Sequence, residues 1–70
     1  MYFVYILQSI NNPDQFYVGS TQDLRKRLAN HNAGTTLHTA KYKLWKLEVY
    51  LGFEDKEKAH VYGSLKKLLL

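Results

Sequence analysis

Seventy residues without a cysteine make one small domain, expected to span 1–70, with no disulfide or thiolate metal site to reinforce it. A chain of this size buries roughly 60% of its extended surface on folding, so its stability margin is narrow. Ten Lys and Arg against six Asp and Glu leave a net charge of +4, which favours anionic partners, and no apolar run reaches the ~20 residues of a membrane span. The N-terminus carries neither the basic segment nor the small-residue cleavage site of a signal peptide, and a reducing cytoplasm is the expected compartment.

Residues 1–8, MYFVYILQ, are almost wholly apolar and rich in aromatic and β-branched types. That composition predicts a strand covered on both faces. Asn11-Asn12-Pro13-Asp14 marks a turn. Phe16 to Gly19 follows as a second strand, the expected antiparallel hairpin partner of the first. A helix is expected next, capped by Ser20 or Thr21, with Asp23 in its first turn and Leu24 and Leu28 as its buried stripe. Asn32-Ala33-Gly34 ends it, Gly34 being suited to a left-handed terminator.

Thr35 to Leu44 is polar and basic and reads as a loop. From Trp45 to Leu51 apolar residues alternate, with Trp45, Leu47, Val49 and Leu51 set against Lys46, Glu48 and Tyr50. This predicts a third strand with one wetter face. Glu54 to about Leu69 is the last helix. Ala59, Tyr62, Leu65, Lys66, Leu68 and Leu69 form its apolar side, and Gly63 costs it about 1 kcal/mol relative to alanine. The order β-β-α-β-α gives an α+β domain, a small three-stranded antiparallel sheet packed with helices.

Four residues stand out as carriers of chemistry. Tyr5 and Tyr17 lie on paired strands, and the hairpin can aim both hydroxyls toward one end of a cleft. On the residues alone, a cross-strand aromatic pair filling the core serves equally well. Arg27 lies about 60° round the helix from Leu24, at the edge of the buried face, from where a guanidinium can clamp a phosphate. The plainer alternative is one more surface cation beside Arg25 and Lys26. His31 follows one turn later and can bind phosphate, shuttle a proton, or simply favour the helix dipole.

These residues, with Val18-Gly19-Ser20 after Tyr17 and the later stretch His31-Asn32-Ala33-Gly34, Thr39, Lys41 and Trp45-Lys46-Leu47, resemble the GIY-YIG nuclease family. The likeness is to its small single-domain, UvrC N-terminal-like members, and it covers nearly the whole chain. Phe3 and Val4 replace the first two residues of the family's leading tripeptide, and Lys43-Leu44 stands where Arg-Pro is frequent. The resemblance implies an endonuclease that hydrolyses nucleic-acid phosphodiesters with Mg2+ or Mn2+, on DNA ahead of RNA. Tyr5 would activate water, Tyr17 and His31 would assist positioning, and Arg27 would stabilise charge on the phosphate. A phenol of pKa near 10 is a poor base at neutral pH and needs a nearby cation or metal-bound water.

Ser20, Arg25, Lys26, Lys41, Lys43 and Lys46 are the expected nucleic-acid contacts, with Tyr42 and Trp45 interleaved to stack on bases. A mobile basic loop and a core tryptophan fit the same residues.

One departure is chemical. The resemblance places a metal-binding glutamate four residues after Ala59, and Gly63 stands there. Hard divalent cations need oxygen ligands, and Glu54, Asp55 and Glu57 lie two turns too early to substitute. Two functions therefore stay open: an impaired nuclease, and a nucleic-acid-binding module of the same fold without catalysis. A small protein-interaction domain using its aromatic surface is a third.

Overall fold

The computed structural model describes residues 1–63. Strand β1 (Tyr2–Ser9) runs up the middle of a three-stranded antiparallel sheet, between β2 (Phe16–Thr21) and β3 (Trp45–Phe53). Helix α1 (Leu24–Ala33) and a short α2 (Leu37–Ala40) lie between β2 and β3, and α3 (Lys56–Gly63) follows β3. The architecture is α+β, with the strand order β2-β1-β3.

Register explains why β1 reads as apolar throughout. Tyr5 opposes Gly19 on β2 and Tyr50 on β3, and Leu7 opposes Tyr17 and Leu47. These residues share one face. On it Tyr5, Leu7 and Trp45 form a core with Tyr17, Leu24, Leu28, Tyr42 and Leu47 packed around it. Val4 opposes Ser20 and Leu51, and Ile6 opposes Val18 and Val49, on the other face. There Val4 and Val18 pack with Ala59 of α3, joined by Tyr2, Ile6 and Phe53. Each face of β1 thus has its own helix, and α1 and α3 stand on opposite sides of the sheet.

Four local expectations are corrected. Ser20 and Thr21 do not cap α1, because β2 extends through Thr21, which pairs with Phe3. The cap is Asp23, whose carboxylate accepts the Lys26 N–H at 3.0 Å. The helix ends as expected at Gly34, which has φ of 77° and donates its N–H to carbonyls of the last turn. Within the expected loop 35–44, Thr36 starts a turn of helix whose N–H groups at Thr39 and Ala40 both reach the Thr36 carbonyl.

The expected alternation of β3 also fails. The register shifts between Ile6 and Leu7, leaving Glu48 as an extra residue. A bulge of one residue reverses every side chain beyond it. Trp45 and Leu47 therefore face α1, while Val49 and Leu51 turn to the α3 side and Tyr50 takes the α1 side. Finally, α3 starts at Lys56, after the Asp55 carboxylate accepts the Glu57 N–H at 2.8 Å. The part of the last helix expected beyond Gly63, with Leu65, Lys66, Leu68 and Leu69, lies outside the described residues.

Candidate active site

The α1 face of the sheet gathers four of the polar side chains singled out above. Tyr5 starts in the central strand and runs over the backbone of Gly19 on β2. An added Cβ at Gly19 would stand 2.5 Å from the Tyr5 hydroxyl oxygen, 2.7 Å from its Cζ and 2.9 Å from a Tyr17 ring carbon. Only a residue without a side chain lets the two tyrosines converge there. Their ring centroids are 6.3 Å apart.

Helix α1 brings the rest of the cluster from above. Leu24 and Leu28 seat the helix on the sheet, and that seating turns Arg27 and His31, four apart, toward the tyrosines. The His31 ring lies 4.8 Å from the Tyr17 ring and 6.0 Å from the Tyr5 ring, centroid to centroid. The imidazole is fully buried. Its Nε2 is 3.0 Å from the Tyr5 hydroxyl and its Nδ1 is 2.7 Å from the Thr39 hydroxyl. The Arg27 guanidinium stands close enough to Tyr5 and Tyr17 for their hydroxyls to favour its charge. Its Nε is buried and has no acceptor among the described residues.

Electrostatics follow from this packing. Burial pushes the Tyr5 phenol above its ordinary value; the Arg27 cation opposes that shift without cancelling it, and Tyr17 adds to it. Burial, helped by the Arg27 charge, holds His31 below the usual histidine range. Near neutral pH the cluster therefore holds a neutral phenol, a neutral imidazole and one cation.

The sign of the His31 shift sets a stability trend. Above the unfolded value of 6.5 the ring is neutral in both states, and its contribution is fully present. As pH falls below 6.5 the unfolded chain takes up the proton first, and that stability is lost as pH falls through the lowered folded value. Melting temperature should drop between pH 7 and pH 5, and His31→Gln should melt lower at pH 7 with a flatter dependence across that window. Parallel pH slopes for the two forms would contradict the buried neutral ring.

The remaining expected residues are dispersed. Arg25 and Lys26 are exposed on α1, beside Arg27 in sequence but turned to solvent. Lys41 and Lys43 are exposed beyond α2, and the Lys41 ammonium lies 5.4 Å from the Tyr42 ring centroid. Ser20 sits on the α3 face, in a cleft lined also by Tyr2, Thr21, Lys56 and His60. Lys46, opposite Gln8, is on that face too, and is ion-paired with Glu48 at 3.3 Å. Trp45 is a core residue, only 3% exposed, with its indole N–H donated to the Thr39 carbonyl at 2.8 Å. It has no free face for a base.

Two residues absent from the expected set shape the site. Asn32 clamps the Trp45 backbone from both sides, at 2.5 Å to its N–H and 3.1 Å to its carbonyl, and so ties α1 to β3. Thr39 holds the far nitrogen of His31. Neither has a signal in spacing, because each depends on a contact between elements.

A divalent cation held by protein carboxylates does not fit the described residues. They contain no group of three or more His, Cys, Asp or Glu able to hold a metal ion, and both nitrogens of His31 are engaged. Gly63, at the last described position of α3, brings no side-chain donor. Since α3 covers the Val4–Val18 face, a carboxylate from it would have to pass an edge of the sheet to meet the tyrosines.

A family model of the GIY-YIG catalytic domain matches residues 1–67. UPF0213 proteins of Streptococcus pyogenes serotypes M3, M1 and M4 are each 40% identical to the chain over 58 residues, covering 81% of it and 61% of their own length. The chain thus spans about 61% of the length of these curated relatives.

Proposed function

Because the chain belongs to the GIY-YIG catalytic-domain family, we propose that it is a nuclease domain, working in the cytoplasm, whose Tyr5–His31–Arg27 cluster hydrolyses nucleic-acid phosphodiesters, with DNA ahead of RNA. The observation that carries this reading is Arg27: a cation drawn in against two tyrosine hydroxyls, with a buried Nε–H left without an acceptor. Arg27 is part-buried rather than enclosed, so its guanidinium can meet a phosphate in the paired geometry it favours.

With Nε2 of His31 bare, the Tyr5 hydroxyl donates its proton to it, and the Arg27 cation stands by the Tyr5 oxygen. Water attacking phosphorus passes a proton to the Tyr5 oxygen while the Tyr5 proton moves to His31. The bond from phosphorus to the leaving sugar oxygen breaks, and that oxygen takes a proton from solvent. Tyr5 never has to exist as a free phenolate, which its raised pKa disfavours. Arg27 offsets the negative charge that gathers on the phosphate oxygens. Tyr17, whose ring abuts both Tyr5 and His31, orients water or phosphate.

Nucleases of this family are in general dependent on a divalent metal, and Mg2+ or Mn2+ is the cofactor proposed if this chain cuts. With Gly63 in place of a carboxylate, the proposed turnover is slow. The same substitution favours the second reading, a domain that binds nucleic acid at this cluster without cutting it.

Binding is testable apart from cleavage. Affinity for a labelled duplex and a labelled single strand should fall steeply with salt, as each neutralised phosphate adds close to one unit to the logarithmic slope. Arg27→Ala should weaken binding and flatten that slope by about one unit. Absent binding at low salt would remove both the nuclease and the binding module, and would leave the protein-interaction reading.

A further inference from the structure

We propose that Thr39 is a positioning residue of this site: its hydroxyl holds His31 in the Nδ1–H tautomer, so that Nε2 stays free to take the proton of Tyr5. The inference deepens the proposed function and rests on it for its catalytic meaning.

The hydrogen-bond directions follow from which atoms can donate. The Thr39 hydroxyl donates to the Thr36 carbonyl at 3.3 Å, an acceptor only. Its oxygen, 2.7 Å from His31 Nδ1, is then left to accept, so Nδ1 carries the hydrogen. Neutral imidazole has one N–H, and Nε2 therefore presents a lone pair to Tyr5 at 3.0 Å. At the other end the Arg27 cation near Tyr5 favours a phenol hydrogen turned away from it, toward the same lone pair. Both ends of the chain thus orient the protons alike. In the opposite tautomer Nε2–H would donate to the Tyr5 oxygen, and His31 could not receive a proton there.

The backbone of Thr39 is held in place as well. Thr39 is 1% exposed, and its carbonyl accepts the Trp45 indole N–H at 2.8 Å and the Tyr42 N–H at 3.2 Å. The groups facing His31 are Tyr5, Tyr17, Arg27 and Thr39. Of these, Thr39 is the one that meets Nδ1.

The test is the tautomer itself, read from the 15N shifts of His31 in the intact protein, in which an unprotonated ring nitrogen resonates far downfield of a protonated one. The unchanged protein should show Nδ1 protonated and Nε2 bare at pH 7.5. Thr39→Ser should keep that pattern, and Thr39→Val, close in shape, should lose it toward Nε2–H. In the Gly63→Glu form, Thr39→Val should lower the cleavage rate about 10-fold or more, with Thr39→Ser restoring it. An Nε2–H tautomer in the unchanged protein would overturn the proposal without any variant. So would a folded Thr39→Val whose His31 shifts match the parent. If no form cuts nucleic acid, the shifts still decide the role of Thr39, and only the nuclease reading falls.

Discussion

Gly19→Ala should lower stability by about 2 kcal/mol, or roughly 8–16 °C in melting temperature, although it adds one methyl group. The methyl carbon would stand under 3.0 Å from two atoms of Tyr5 and one of Tyr17. A flexible side chain could swing aside, but Tyr5 cannot do so cheaply. Its ring is 1% exposed in the core around Leu7 and Trp45, and its hydroxyl is held by His31. Relief must come from lifting the ring or separating β1 from β2, and either breaks the 3.0 Å bond to His31. Loss of stability should therefore coincide with a changed His31 environment, read from thermal melts and the histidine NMR signals of the same sample. An alanine form that melts with the parent and keeps its His31 signals would show that the tyrosines do not need the bare backbone at Gly19.

The second large effect is expected at Gly63. Gly63→Glu should stabilise α3 by several tenths of a kcal/mol, since glutamate loses less backbone entropy than glycine in a helix. It should also raise metal-dependent cleavage by at least about 10-fold. Arg27 is the cation that the described cluster offers to the phosphate, and a carboxylate holding Mg2+ would add a second positive centre. That carboxylate would come from the helix on the far side of the sheet. Melts and a cleavage assay separate the outcomes. A more stable form that still fails to cut would favour the binding module. A destabilised form would mean that the chain needs the small residue at 63 for packing.

Much of this site was legible before the fold. The doubly apolar MYFVYILQ segment foretells a central strand, the Asn-Asn-Pro-Asp turn places β2 beside it, and Leu24 with Leu28 fixes which side of α1 meets the sheet. Tyr5, Tyr17, Arg27 and His31 then converge because strand pairing and helical spacing both have short, regular periods. The rest depended on contacts with no period. Whether Thr21 belongs to a strand or a cap is decided by Phe3 across the ladder, not by its neighbours. The extra residue at Glu48 reverses the outer half of β3, which simple alternation cannot anticipate. Thr39 lies in a polar segment that reads as loop, and becomes part of the site only when α2 folds over the end of α1. The basic residues were visible as charge, but their division between two faces depends on register.

The most direct test of a hydrolytic Tyr5–His31–Arg27 site is single-turnover cleavage of branched, single-stranded and duplex DNA with Mg2+ or Mn2+. The unchanged protein, Gly63→Glu, and Gly63→Glu combined with Tyr5→Phe should be compared under conditions where all three bind. Slow cutting by the first, faster cutting by the second, and a loss of about 100-fold or more in the third are the predicted results. Cleavage that survives the loss of the Tyr5 hydroxyl, or no cleavage by any form despite binding, would contradict the account.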